Sequence, residues 1–189
     1  MTEGRDCNDP LPGQQASRRR GAASCGAIVY RFRSMQIRDA TPADLDFIVA
    51  SNAALALESE NQMLDPALCG PGVRAVLQDP ALGRYYLAES DGRTVGQLMT
   101  TYEWSDWRNG LFLWIQSVYV LPAYRSQGVF RALYRHLEDL ARMDARICGI
   151  RLYVDRANDR AMAVYGRLGM HRSNYGVMET VYRGPASHG

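Results

Sequence analysis

Val129, Leu133, Leu137, Leu140 and Ala141 recur at three- and four-residue intervals, the spacing of one face of an amphipathic helix. Just ahead of them, residues 115–120 (Ile-Gln-Ser-Val-Tyr-Val) are β-branched and aromatic and stop at Pro122, which predicts a strand. Residues 125–130 (Arg-Ser-Gln-Gly-Val-Phe) make a short turn with one glycine between the two. Such a strand–loop–helix unit is a physical device. The first amide N–H groups of a helix lack internal partners and its dipole favours negative charge there, so a phosphate can sit on them. Gly128 has no Cβ and lets the backbone approach closely.

The pattern extends in both directions. Residues 36–39 predict a short strand. Thr41 is a helix N-cap, with Pro42 at the first helical position and Asp44 completing a capping box; Leu45, Ile48, Val49 and Asn52 continue at helical spacing. Residues 58–72 are acidic and broken by Pro66, Gly70 and Pro71, which predicts a loop or short helical turns. Residues 73–77 predict a short second helix, ended by Asp79 and Pro80. Three antiparallel strands follow at 84–89, 94–103 and 111–120, joined by a hairpin turn at 90–93 and a turn at 105–110 that ends in Asn-Gly. After the long helix come a strand at 149–155, a short helix at 158–168 closed by Gly169, and a last strand at 175–183.

The lead-in V-x-L-P-x-Y-R with Arg125 and Gly128 resembles the coenzyme A pyrophosphate motif of the GCN5-related N-acetyltransferase (GNAT) superfamily, [Gln/Arg]-x-x-Gly-x-[Gly/Ala] at a helix start. Phe130 departs from it, standing where a small residue is usual. Thirty residues after Gly128, Asn158-x-x-Ala161-x-x-x-Tyr165-x-x-Leu168-Gly169-Met170 resembles the distal motif of the same superfamily, and residues 36–44 resemble its opening strand and helix. The resemblance covers residues 36–183. It implies an α/β (α+β) GNAT fold: a central mixed, mostly antiparallel twisted sheet with helices on both faces.

The same resemblance implies direct transfer of an acetyl group from acetyl-CoA, as co-substrate, to an amine of a small molecule or a protein. It implies that Val118, Tyr119 and Val120, then Arg125, Ser126, Gln127, Gly128, Val129 and Phe130, then Asn158 and Tyr165 hold the coenzyme. Tyr165 would give a proton to the leaving thiolate. Backbone N–H groups near Val120 would serve the oxyanion. Some relatives carry a base glutamate eleven residues before the first position of the phosphate motif; here that position is Trp114. Proton acceptance is therefore expected of Glu103, shielded by Trp104 and Trp114, with Glu58 as second choice. The rival reading is a catalytically silent acyl-CoA-binding regulatory module.

Trp104, Trp107 and Trp114 all fall within residues 103–114. One cause is hairpin packing or a homodimer contact. The other is an acceptor pocket in which aromatic faces attract an ammonium group and an acid takes its proton, with Glu58 and Gln116 beside it.

Composition narrows the classes. All 22 basic residues are Arg, which excludes a Schiff-base or P-loop lysine. Of the net charge of +2, residues 1–34 carry +3, so the remainder is near neutral and not a basic nucleic-acid binder. Cys7, Cys25, Cys69 and Cys148 show no metal-ligand or disulfide spacing and read as free thiols in a reducing cytoplasm; His136, His171 and His188 are scattered, and no metal is expected. No apolar run approaches the roughly 18 residues of a membrane helix. Residues 1–34 read as a disordered tail or a mis-assigned start ahead of Met35. Arg18, Arg19 and Arg20 only faintly resemble an export signal, because Arg31 and Arg33 close the short apolar run. The domain is expected at 35–184 and a C-terminal tail at 185–189.

Overall fold

The structure, a computed structural model, describes residues 35–182. The expectations for residues 1–34 and 185–189 lie outside the described residues. One five-stranded sheet, in the order β1-β2-β3-β4-β5, organises the chain. Its strands are β1 (Met35–Asp39), β2 (Arg84–Ser90), β3 (Arg93–Ser105), β4 (Gly110–Val120) and β5 (Ile147–Leu152). The first four pair antiparallel and β5 pairs parallel to β4, so the helix between those two must cross over the sheet. The sheet is therefore mixed, mostly antiparallel, with helices on both faces, as the resemblance implies.

Alternation along the strands sorts the two faces. The helix α3 (Val129–Met143) buries Val129, Leu133, Tyr134 and Leu137 against Tyr86, Leu98, Leu113 and Ile115. On the other face α1 (Leu45–Glu60) and α2 (Pro66–Gln78) bury Ile48 and Val73 against Tyr85 and Leu87. A ninth element, α4 (Asp159–Arg167), follows β5. The β2–β3 hairpin turns through Asp91 (φ 52°) and Gly92 (φ 74°), both left-handed, as a two-residue turn between twisted strands requires.

The corner of β1 and α1 is tied by one cluster. Arg38 donates to both Asp44 oxygens at 2.8 Å and to Glu89 at 2.7 Å. Asp44 also accepts from the N–H and the hydroxyl of Thr41, at 2.8 and 2.9 Å. Hydrogen bonding from Arg38 holds the Asp44 carboxyl down at about 2. Every ion pair among the described residues has an arginine as its cation.

Three expectations need correction. Residues 58–72, expected as a loop or short helical turns, are mostly regular helix: α1 runs to Glu60, α2 starts at Pro66 and continues through Pro71, and only residues 61–65 form a loop. Asp65 caps that helix by accepting from Ala67 N–H at 2.8 Å, and Val73 anchors it in the core; a proline on an exposed surface turn forfeits only one hydrogen bond. The strand expected at 149–155 is shifted to Ile147–Leu152, because its partners on β4 run from Leu111 to Ile115. The last strand, expected at 175–183, does not form among the described residues: residues 171–182 are exposed and pair with nothing in the sheet.

Candidate active site

The parallel pairing of β4 with β5 begins at Leu111↔Ile147 and ends at Ile115↔Leu152. Beyond Ile115, β4 continues to Val120 while the chain after Leu152 leaves the sheet. The two strands therefore part, and the backbone of residues 116–120 loses its partner on that side. The parting coincides with a β-bulge. Gln97 pairs with Tyr119 and Met99 with Gln116, so Ser117 and Val118 together face Leu98 alone. Ser117 takes the left-handed region at φ 48°, uncommon for a residue with a side chain. Bulges of this kind re-aim backbone groups and gather next to active sites.

The parting strands lead straight to the loop at 125–128. After a single turn at Pro122–Tyr124, Ser126 (φ 62°) and Gly128 (φ 85°) are both left-handed, and Gly128 is the residue that starts α3. A Cβ at Gly128 would stand 3.4 Å from the Arg131 guanidinium. Arg160, in the first turn of α4, donates to the Ser126 hydroxyl at 3.2 Å. Two guanidinium groups thus flank a helix N-terminus on a left-handed loop, an arrangement suited to a diphosphate. Phe130 turns into the core, its ring centroid 6.2 Å from that of Tyr134 and 5.4 Å from that of Tyr165, so its bulk does not fill the loop. Gln127 donates back to the Ala123 carbonyl at 2.7 Å.

Asn158 caps α4 by accepting from Ala161 N–H at 2.9 Å. One face of that short helix then carries Tyr165 onto Phe130 with an edge-on ring contact. Burial pushes the Tyr165 phenol up, and its hydroxyl has no hydrogen-bond partner among the described residues.

On the helix α1 side, Glu58 accepts from the Tyr119 hydroxyl at 3.0 Å and from Arg125 at 2.6 Å. Arg125 also donates to the Val120 carbonyl at 2.9 Å and lies 5.5 Å over the Tyr119 ring. The last turn of α1 is thereby tied to both the end of β4 and the loop at 125–128. Hydrogen bonding from Arg125 holds the Glu58 carboxyl below its ordinary range.

The tryptophan hairpin does not form the pocket expected of it. Glu103 pairs with Phe112 and forms an ion pair with Arg151 of β5, whose guanidinium lies 3.7 Å over the Phe112 ring. At about 3.3 Å per residue, Glu103 stands roughly 10 Å short of where the strands part. Trp104 follows it directly along β3, so it points to the opposite face and is 58% exposed; it does not shield Glu103. Trp107, in the turn, is 86% exposed. Trp114 stacks at 4.7 Å on Tyr153, the first residue past β5, and Gln116 donates to Thr101 at 2.7 Å. Of the expected acceptor residues, Glu58, Trp114 and Gln116 thus border the parting and Glu103, Trp104 and Trp107 do not.

Sequence reasoning missed Arg131, Arg160, Arg151 and the buried Gln97. Arg160 lies inside the Asn158–Tyr165 motif and was within reach; the others depend on contacts between distant strands. An open groove of about 810 Å³ lies along the outer edge of β5, between α3 and the segment at 169–175. It includes neither Gly128 nor Tyr165. Among the described residues no group of three or more His, Cys, Asp or Glu could hold a metal, and no helix is long and apolar enough to cross a membrane.

A family model described as "Acetyltransferase (GNAT) family" matches residues 55–170. Among solved structures, a possible acetyltransferase from Clostridium difficile 630 is 42% identical, covers 79% of this chain and 99% of its own, and superposes with a TM-score of 0.74. A ribosomal-protein-alanine N-acetyltransferase from Brucella melitensis biovar Abortus 2308 is 17% identical, covers 79% of this chain and 100% of its own, and has a TM-score of 0.65. An aminoglycoside acetyltransferase from an uncultured soil metagenomic sample is 18% identical, covers 78% of this chain and 99% of its own, and has a TM-score of 0.61. No curated protein matches the chain.

Proposed function

The chain belongs to the acetyltransferase (GNAT) family, and from that premise we propose that it transfers an acetyl group from acetyl-CoA to an amine of a small molecule or a protein by direct attack. One observation carries the reading: β4 and β5 part beside a bulge, and the open strand runs into a left-handed loop at the start of α3 flanked by Arg131 and Arg160. That fits the shape and charge of the coenzyme, an extended chain ending in a diphosphate.

The co-substrate supplies an acyl group activated by a thiolate leaving group. The protein supplies everything else. Backbone N–H groups at 126–129 and the start of α3 hold diphosphate charge, with Arg131 and Arg160 beside them. The unpaired backbone of 116–120 gives the acyl arm a strand edge to lie on, with donors near the developing oxyanion. Tyr165 is neutral at working pH, since burial raises its phenol, so it has a proton to give to the departing sulfur. The attacking amine must lose a proton. Glu58 takes over the role expected of Glu103: it is charged, borders the parting, and holds an ammonium or relays its proton through water. Trp114 and Gln116 line the approach.

The test is thiol release from acetyl-CoA across a panel of amines, amino acids, polyamines and peptides. Turnover with at least one amine is the expected result. Tight binding of acetyl-CoA with no amine-dependent thiol release would turn the chain into the silent acyl-CoA-binding module instead.

A further inference from the structure

We infer that Gln97 is a positioning residue for acyl transfer, which from inside the sheet fixes the Ser117 peptide at the bulge where β4 and β5 part. The inference rests on the acetyl-transfer reading above. Gln97 lies on β3 and is fully buried, at 0% exposure. Its amide nitrogen donates to Asn52 Oδ1 at 2.7 Å and to the Ser117 carbonyl at 3.2 Å. Both partners are acceptors, which settles which end of the amide is nitrogen. The other end, Oε1, is buried with no donor among the described residues. Asn52 in turn donates to the Tyr85 hydroxyl at 3.2 Å. A chain of amides thus runs from α1 through the middle of the sheet to the bulge.

This arrangement is costly. An unpaired buried amide oxygen is destabilising, and a left-handed residue with a side chain adds to that. Stability alone would favour an apolar side chain here, like the fully buried Leu87 and Leu98 close by. Instead a register slip, a left-handed serine and an orphaned acceptor converge on one peptide group. Unfavourable local features of this kind persist where a geometry is put to use.

The use follows from strand alternation. Gln97 holds the carbonyl of the residue that makes β4 one position longer than β3. Without that hold the bulge can migrate or relax into regular pairing, and a slip of one residue exchanges the faces of everything beyond it. Tyr119 would then leave Glu58, and the backbone of 117–120 would no longer face the parting in its present setting. Gln97 touches none of the reacting groups; it acts through the Ser117 peptide.

The experiment compares the full chain with Gln97→Met, an apolar side chain of similar length. A positioning role predicts a kcat lower by about 10²-fold, the scale of an ångström-sized misplacement. Coenzyme A affinity should stay within about threefold of wild type, and unfolding in urea should show only a modest loss of stability, since Met relieves Oε1 but leaves Asn52 Oδ1 and the Ser117 carbonyl without their donor. Amide hydrogen exchange at residues 117–120 should quicken. Asn52→Leu removes the other acceptor of the same amide nitrogen and should shift kcat in the same direction, which keeps the test alive if Gln97→Met does not fold. A wild-type kcat, unchanged exchange at 117–120, or losses of kcat, affinity and stability in equal measure would each overturn the inference. If wild type itself releases no thiol with any amine, the acetyl-transfer reading fails, and the exchange comparison still decides whether Gln97 holds the bulge.

Discussion

Replacing Gly128 by alanine separates the backbone requirement of the loop at 125–128 from the diphosphate binding proposed for it. Gly128 sits at φ 85° as the N-cap of α3. An alanine held there costs about 1–2 kcal/mol, and its stiffer unfolded chain returns about 0.4–1 kcal/mol of that. The net loss is therefore about 1 kcal/mol. The new Cβ would meet only the end of the Arg131 side chain, at 3.4 Å, which can move aside, so no collapse of packing adds to the cost. For a domain of this size the melting temperature should fall by about 2–4 °C. Coenzyme A affinity should fall further than this suggests, by tenfold or more, about 1.4 kcal/mol, because the Cβ and any relaxation of the loop both act where the diphosphate must sit. Gly92 provides the control. It is also left-handed, at φ 74°, has open space around it and lies in a hairpin turn of the sheet. Gly92→Ala should lose similar stability and keep its affinity. Thermal unfolding and calorimetric titration with coenzyme A measure both quantities. Equal affinity in wild type and Gly128→Ala, at the expected loss of stability, would refute the placement of the diphosphate.

Other outcomes follow from the same geometry. Tyr165→Phe keeps the ring on Phe130 and removes the hydroxyl; kcat should fall by about 10²–10⁴-fold with coenzyme A binding intact, as steady-state kinetics and titration will show. Glu58→Gln should depress turnover of the acceptor, whereas Glu103→Gln, which only weakens the pair with Arg151, should leave kcat/KM within about threefold. Asp44 gives a pH test. Its folded carboxyl is depressed from 3.8 to about 2, so its stabilisation is fully present above pH 3.8 and is lost as pH falls through about 2. Asp44→Asn should therefore be less stable at neutral pH by up to about 2 kcal/mol and should converge with wild type near pH 2, as urea unfolding across pH will show.

The strand–turn–helix unit around Gly128 was legible because its signals adjoin in sequence: the 115–120 run, Gly128, and the Val129–Leu133–Leu137 stripe. The helix that carries Tyr165, with Asn158 as its cap, was legible from motif spacing. What escaped depends on strand pairing. That Arg151 neutralises Glu103 needs β3 and β5 brought to the two sides of β4, and nothing local announces it. Nothing in the sequence singles out Gln97 within its strand, since it acts on a carbonyl twenty positions away. Pro71 and the glycines beside it read as breakers, yet a buried Val73 and an Asp65 cap outweighed them. The separation of Trp104 from Glu103 was available from alternation alone, because neighbours on a strand face opposite ways. Residues 175–183 have the composition of a strand, but propensity cannot supply a partner.

On the proposed acetyl-transfer reading, the arginine-only ion pairs bear on how the protein withstands its own co-substrate. A thioester donor acylates unprotonated amines, and a lysine ε-ammonium loses its proton often enough to be a target. A guanidinium keeps its proton at any working pH and is no nucleophile. Arg38 at the β1–α1 corner, Arg125 at the loop and Arg151 beside Phe112 therefore hold their carboxylates with groups inert to the donor. With no ε-amine anywhere in the sequence, stray acylation cannot erase a side-chain charge on which these contacts depend, so prolonged exposure to acetyl-CoA should leave the fold's ion pairs chemically unaltered.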